Sequence, residues 1–377
     1  MKNTWRLYKF EIKKILSSRM TIVLLVILLA FAVLMGLNPG STVTEEITEM
    51  QRSLSGRAID DDLLNEMYPL LLDDYGIKWT YQNAPYERIA NLEREIVGYN
   101  TALSSYSAED MYEIRRADLY AIMEHEGLTG NEIEWWKDHE RDVAEPFIYQ
   151  FDAGALILAR SLSGLAAFLV IVTAMCLSTV FTSEHRFRTD QLVMSCLHGR
   201  RETYLAKTAA GITMALFSAM IPSAVSALVV YLKHGLDGLN AIVQMEVPMS
   251  GYALTMGQFI EKQLILMITA TVLFAVFAMV ISEMLKNSIA TVGVMLGVMI
   301  VSLAVSIPPK YRLLSQAQSM IPTTQISMEA LLGHRLIYVF GNYFTGFDAA
   351  PILYLCLAAM LAIVGDIVYS RFQVTGR

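Results

Sequence analysis

The sequence predicts an all-α polytopic membrane protein with six transmembrane helices, an amphipathic N-terminal interfacial helix, and a mainly helical extracellular domain between the first two spans. Hydrophobic residues make up 54% of the 377 residues, which is high for a soluble protein. Six apolar stretches approach the roughly 20 residues that a helix needs to cross a bilayer. The charges are also segregated: residues 38–153 hold 25 Asp/Glu and 9 Lys/Arg, whereas the remainder holds 11 and 20.

Hydropathy and charge divide the chain into spans and connecting segments. The spans are predicted at 20–37, 154–182, 208–232, 263–282, 288–307 and 350–370. The other segments are the N-terminal helix 1–19, the acidic domain 38–153, the connector 183–207, an outer loop 233–262, an inner turn 283–287, an outer or re-entrant segment 308–349, and a tail 371–377. Basic residues concentrate before the first span, in the connector and after the last span. The positive-inside rule therefore places both termini and the connector in the cytosol.

Residues 1–19 contain six Lys/Arg and one Glu. Apolar residues recur there at three- and four-residue offsets: Trp5, Tyr8, Ile12, Ile15 and Leu16. This spacing predicts an amphipathic helix lying on the inner membrane surface. A cleavable secretory signal is the alternative, with Ala30-Phe31-Ala32 near a possible cleavage site. The long charged region and the near-spanning length of 20–37 favour a retained first span.

The acidic domain is expected to be helical and to bury its own core. Helical spacing of apolar residues predicts helices at 60–74, 86–99, 108–126 and 132–141. Two capping patterns support helix starts, Ser107 with Asp110 and Asn131 with Glu134. The domain contains no cysteine, so no disulfide is expected to stabilise it.

Three positions in or near the spans carry specific expectations. Pro222 removes a backbone hydrogen bond from the third span and predicts a kink, which is either a gating hinge or simple packing geometry. Arg160 is expected to extend to the head groups at the outer end of the second span. Asp366 is the only carboxylate within a span, and we expect it to pair with Arg371 or to be hydrated near the inner surface.

The segment 308–349 begins with Pro308 and Pro309, which end the fifth span. Its semi-apolar pieces, 321–332 and 336–347, are each too short to cross a bilayer. They predict short or re-entrant helices on the outer side.

The connector separates two long apolar runs yet carries five basic and three acidic residues. It is predicted to form two short helices separated at Gly199, because glycine takes the left-handed conformation that ends a helix at little cost. Its pattern resembles the cytosolic connector in transmembrane subunits of ABC-2 type ATP-binding-cassette transporters, although that family usually has Gly where Arg188 stands. The residues that carry the resemblance are Glu184, Arg188, Thr189, Gly199, Arg200, Tyr204 and Lys207.

The resemblance implies a permease subunit of the bacterial cytoplasmic membrane that works with a separate ATPase and a second permease subunit, identical or related. ATP and Mg would bind to the ATPase, and this chain would hold no cofactor. The connector would couple the two proteins, with Phe187, Arg188, Asp190, Gln191 and Met194 contacting the ATPase. Glu184, Arg200 and Lys207 would anchor the connector, and Gly199 would divide its two helices.

Sequence motifs for other chemistry are missing. There is no phosphate-binding loop of the G-x-x-x-x-G-K-[ST] type, and His125-Glu126 does not continue as an H-E-x-x-H zinc motif. We therefore predict no catalytic residues, no metal site and no nucleic-acid partner. Apolar spans with few charges favour export of an amphipathic or hydrophobic substrate, such as an antimicrobial peptide, a lipid or a drug. A membrane receptor or sensor whose acidic domain binds a ligand is the alternative function.

Overall fold

The computed structural model describes residues 2–38, 45–73, 76–77, 83–98, 106–187, 189, 200–305, 307–308, 310–325 and 327–371. Most of these residues are helical, and among them five helices are long and apolar enough to cross a membrane. These five lie at Arg19–Leu37, Ala153–Glu184, Arg201–His234, Met256–Leu285 and Gly346–Ser370. A shorter apolar helix covers Ser288–Ala304. The chain is thus a mainly helical protein with the features of a multi-pass membrane protein.

The helices and strands are numbered in chain order. The α-helices are α1 (Lys2–Leu16), α2 (Arg19–Leu37), α3 (Glu45–Ser53), α4 (Asp61–Leu71), α5 (Glu87–Val97), α6 (Ala108–His125), α7 (Gly130–Glu140), α8 (Ala153–Leu177), α9 (Thr179–Phe187), α10 (Arg201–His234), α11 (Met256–Leu285), α12 (Ser288–Ala304), α13 (Arg312–Ser319), α14 (Met328–Leu331) and α15 (Gly346–Arg371). Two antiparallel hairpins pair β1 (Leu72–Asp73) with β2 (Gly76–Ile77) and β3 (Ile337–Val339) with β4 (Asn342–Phe344).

The bundle is built around α8 and α11, which are the most enclosed of the long helices. Helices α2, α10 and α12 pack against α8, while α10, α12 and α15 pack against α11. Fully buried apolar side chains from four helices fill the centre, among them Leu28, Leu165, Leu177, Met214, Val276 and Met279. We call the end of the bundle next to the acidic domain the domain end, and the opposite end the connector end.

Helix α1 packs along α10, and the Tyr8 hydroxyl lies 3.1 Å from that of Thr213. Tyr8, Ile12 and Ile15 face the bundle core, whereas Trp5 remains largely exposed. The predicted apolar face is therefore only partly engaged with the protein.

The acidic domain has its own core, made by α4, α5 and α6, where Leu63, Met67 and Ile89 are buried. The predicted cap of Ser107 with Asp110 is present at the start of α6. The predicted cap of Asn131 with Glu134 is wrong, since Thr129 caps α7 two residues earlier with Glu132 as its partner. Both pairs have the same spacing. In the structure the Glu132 carboxylate accepts hydrogen bonds from the Thr129 amide and hydroxyl, so the helix starts after Thr129.

The loop between α10 and α11 belongs to the core of the acidic domain, because Met245 is buried there. Arg115 of α6 is fully buried and donates to the carbonyls of Pro248 at 2.8 Å and Ser250 at 2.9 Å. It also pairs with Glu140 at 2.7 Å. Buried charge thus ties the domain to the loop, because separating them would leave the guanidinium and its acceptors unpaired.

Arg160 contacts Glu246 of the same loop. Its side chain remains 64% exposed, and its extension towards the head groups stays a prediction.

The segment after α12 differs from prediction. Residues 336–347 were expected to be helical, but they contain the β3–β4 hairpin. Its turn residues Phe340 and Gly341 have φ values of 49° and 87°, which suit a two-residue hairpin turn. In 321–332, only α14 is α-helical among the described residues.

Candidate functional site: the connector end of the bundle

The predicted coupling residues divide into two groups. Arg188, Asp190, Gln191, Met194 and Gly199 lie outside the described residues. Glu184, Phe187, Arg200 and Lys207 lie within them, at the two ends of the connector. Helix α9 ends at Phe187, whose surface is 72% exposed, and α10 begins at Arg201. The predicted third span, 208–232, is therefore the later part of a longer helix that starts inside the connector.

Lys207 is the most deeply buried charge at this end, with no exposed surface. Its ammonium lies 2.6 Å from the Glu184 carboxylate and donates to the Val180 carbonyl at 2.9 Å. It also lies 5.1 Å from the centre of the Phe181 ring, within range of a cation–π interaction. Burying an ammonium is costly unless such partners are present. Lys207 therefore fixes the start of α10 against the end of α9.

Two residues of α1 extend this ion pair. Glu11 is buried and lies 4.0 Å from the Lys207 ammonium, while Lys14 lies 3.6 Å from Glu11 and 3.8 Å from Glu184. We call these residues the four-charge cluster: Glu11, Lys14, Glu184 and Lys207. Two positive and two negative groups alternate, so the cluster is neutral overall. It joins three elements, α1, α9 and α10, at one point.

Sequence reasoning included Glu184 and Lys207 but missed Glu11 and Lys14. One signal was present, because Glu11 is the single acidic residue among the first nineteen. A lone carboxylate in a basic amphipathic helix indicates a specific partner, but nothing in the sequence says which one.

The returning end of the connector also contacts α15. The Arg200 guanidinium donates to the Ser370 carbonyl at 3.2 Å, and Arg201 lies 3.5 Å from Asp366. Asp366 was expected to pair with Arg371 or to be hydrated. The structure gives it a partner from α10, and the side chain of Arg371 lies outside the described part of the chain. Cationic side chains near the last carbonyls of a helix are also favoured by its dipole.

An aromatic cluster fills the space between α9, α10 and α15. The rings of Phe181, Tyr204 and Tyr369 lie 5.6–5.7 Å apart. The Tyr204 hydroxyl donates to the Ala362 carbonyl at 2.8 Å. A Cβ added at Gly365 would lie 2.1 Å from the Tyr204 oxygen, so α10 and α15 can approach this closely because residue 365 is glycine.

Pro222 is buried within α10, which continues as one helix from Arg201 to His234. Without an amide hydrogen, Pro222 makes no helical bond to the carbonyl four residues earlier. Its role in gating stays a prediction.

Among the described residues, no group of three or more His, Cys, Asp or Glu side chains is placed to hold a metal ion. The chemistry of this end is therefore that of ion pairs and aromatic packing. No protein-family model matches the chain, and a search of curated proteins finds no match. The resemblance to ABC-2 permeases accordingly rests on the connector and the order of segments.

Proposed function

We propose that this chain is the transmembrane subunit of an ABC-2 type exporter in a bacterial cytoplasmic membrane. In this proposal α12 spans the membrane in addition to the five long helices and is the fifth span in chain order, since its 17 residues give a helix of about 26 Å, close to the thickness of a hydrocarbon core. Both termini and the connector lie in the cytosol, and the acidic domain lies outside. The chain itself is not an enzyme in this scheme.

The observation that carries the proposal is the four-charge cluster. It holds both ends of the connector, through Glu184 and Lys207, and links them to α1. A force applied to the connector would therefore move α9, α10 and α1 together. A coupling element driven by a separate ATPase needs this arrangement, because a connector with loose ends would absorb the motion.

The partner ATPase binds ATP and Mg, and its closure pushes on the connector. Phe187 presents an exposed aromatic surface where α9 ends, next to the predicted contact residues Arg188 and Asp190. Gln191 and Met194 continue the same predicted contact.

A second permease subunit completes the pathway in this proposal. Gly293 and Gly297 of α12 have the G-x-x-x-G spacing that lets membrane helices approach closely. A Cβ added at either glycine meets no atom within 4 Å. Ile300 continues this exposed face. The face supports pairing with an identical or related subunit.

The substrate class is amphipathic or hydrophobic, such as an antimicrobial peptide, a lipid or a drug. The centre of the bundle is apolar, and its charged groups gather at the two ends. Such an interior suits an apolar cargo better than an ion, which would need fixed polar ligands along the path.

Co-purification from the native host tests the proposal. Full-length protein is extracted in mild detergent, and bound ATPase is identified by mass spectrometry and ATP hydrolysis. We expect wild type to retain an ATPase and the double variant Arg188→Ala with Asp190→Ala to lose it. The matched control is Asp138→Ala with Arg141→Ala, which removes an exposed ion pair of 3.0 Å from the acidic domain. Equal retention by both double variants, or no ATPase with wild type, contradicts the proposal.

A receptor or sensor is the second candidate. The observation that favours it is the rigid attachment of the acidic domain, in which Arg88 pairs with Asp152 and with Glu246, both at 2.8 Å. A change in the domain on ligand binding would then be transmitted directly to the ends of α8 and α10. Purification without an ATPase, together with a ligand-dependent change in protease sensitivity of the connector, would favour this function.

A further inference from the structure

A cavity of about 460 Å³ lies at the domain end, between the acidic domain, the end of α12 and the segment before the β3–β4 hairpin. Its volume is in the range of sites for small organic ligands. Its lining includes the apolar side chains of Leu303, Val305 and Met320. Glu126, just beyond the end of α6, and His334 also line it. A lining that combines apolar side chains with a carboxylate suits an amphipathic cation.

His334 is held in a defined orientation. It is only 5% exposed, and its backbone carbonyl accepts a hydrogen bond from the Trp136 indole at 2.7 Å. The ring nitrogen Nε2 lies 2.9 Å from the Met249 carbonyl. A carbonyl can only accept, so Nε2 carries the hydrogen. In the neutral ring, Nδ1 is then left with a lone pair.

This lone pair meets another acceptor. His334 Nδ1 lies 3.6 Å from Glu126 Oε2, and both atoms are buried without a hydrogen-bond partner among the described residues. Two acceptors facing each other are unfavourable unless a donor satisfies them, and leaving them unmet carries a desolvation cost. The pair therefore needs one donor, which a bound ligand, a water molecule or a second ring proton can supply.

We propose that this cavity binds an amphipathic cation, with its ammonium donating to Glu126 and His334 and its apolar body against the wall formed by Leu303, Val305 and Met320. An ammonium has three donors and can satisfy both acceptors at once. Glu329 adds a second carboxylate to the lining, and Arg335, which donates to the Ser315 carbonyl at 3.1 Å, adds one positive charge. Glu126, Glu329 and Arg335 together therefore carry one net negative charge, which favours a cation. The inference does not depend on an ATPase or on transport.

Binding of dansylcadaverine, a fluorescent alkyl ammonium, tests the site in full-length protein reconstituted in lipid discs. Signal from empty discs is subtracted, so that only saturable binding counts. We expect saturable binding by wild type and at least tenfold weaker binding by Glu126→Gln, because a charge-assisted hydrogen bond is lost. The N-acetylated probe, which has the same apolar body but no ammonium, should bind wild type at least tenfold more weakly.

Two further variants make the outcome decisive. Val305→Trp fills the cavity from a position that is 49% exposed, so it should block the probe without disturbing the fold. Glu134→Gln removes an exposed carboxylate from nearby α7 and should bind like wild type. Three results would overturn the proposal and assign the two acceptors to water or a proton. They are no saturable binding to wild type, wild-type affinity in either Glu126→Gln or Val305→Trp, and equal affinity of wild type for the acetylated probe. If Glu126→Gln fails to fold, Val305→Trp and the acetylated probe on wild type decide.

Discussion

Replacing Glu93 by Gln should stabilise the protein at alkaline pH. Glu93 lies in α5 with only 2% of its surface exposed, and one oxygen accepts a hydrogen bond from the Tyr68 hydroxyl at 2.7 Å. The other oxygen is buried without a hydrogen-bond partner among the described residues. Burial disfavours the charged carboxylate and raises the pKa of Glu93 from 4.5 to about 7, outweighing the opposing effect of the Tyr68 bond. Gln keeps the acceptor for Tyr68 and removes the charge.

The direction of the pH dependence follows from the difference in proton binding between the folded and unfolded protein. Between pH 4.5 and about 7, the folded protein holds a proton on Glu93 that the unfolded chain has already released. Stability therefore falls as pH rises through this window. Since a tenfold difference in proton affinity is about 1.4 kcal/mol, the full loss above pH 7 is roughly 3 kcal/mol. Glu66 behaves oppositely, because the Arg57 hydrogen bond lowers its pKa to about 2, and it titrates below this window.

The assay is thermal unfolding of full-length protein in detergent, followed by tryptophan fluorescence. Three of the four tryptophans lie in the acidic domain, so the signal reports mainly on it. We expect Glu93→Gln to raise Tm at pH 8 by on the order of 10 °C, and to change it little at pH 5. Glu113→Gln, an exposed change on α6, is the matched control for loss of one charge. A Tm difference that is the same at pH 5 and pH 8 would refute the reasoning.

Two further predictions concern the connector end. Lys207→Met leaves Glu184 and Glu11 without their buried counter-charge and should cost about 3–5 kcal/mol of stability, measured as a lower Tm in detergent. Adding Glu184→Gln to this variant should recover part of the loss. An unchanged Tm for Lys207→Met would argue against the four-charge cluster. Gly365→Ala forces a Cβ towards the Tyr204 oxygen and should cost about 1–3 kcal/mol. The same change in a Tyr204→Phe background should cost less, since the oxygen is absent, and equal costs would contradict the contact.

The long helices were predictable because apolar runs of spanning length have few alternatives. The residues at which these helices begin and end were not predictable in the same way. Helix α11 begins at Met256, whereas the fourth span was predicted from 263, because Thr255 and Gln258 form a capping box ahead of the apolar run. Glu261 and Lys262 lie within this helix although they mark the edge of the apolar run. Hydropathy locates the membrane-crossing part of a helix, while caps locate its end.

The hairpin at β3 and β4 was missed for a different reason. Its sequence is semi-apolar, so hydropathy alone did not separate a helix from two short strands. The four-charge cluster shows the limit at the site. Glu184 and Lys207 stand out in a charged connector between spans, but Glu11 meets them only through the packing of α1 on α10. Long-range ion pairs of this kind are set by tertiary structure.

Helix α10 provides the physical link between the two ends of the molecule. Its 34 residues correspond to a rod of about 51 Å, long enough to run from the four-charge cluster to the acidic domain. Lys207 fixes one end, and just beyond the other end Asp237 pairs with Arg52 of α3 at 2.7 Å. Because both ends are held, a displacement of the connector must either carry the acidic domain with it or be absorbed within α10. Pro222 is the only proline in α10, and the backbone hydrogen bond missing there makes it the point where the helix bends most easily.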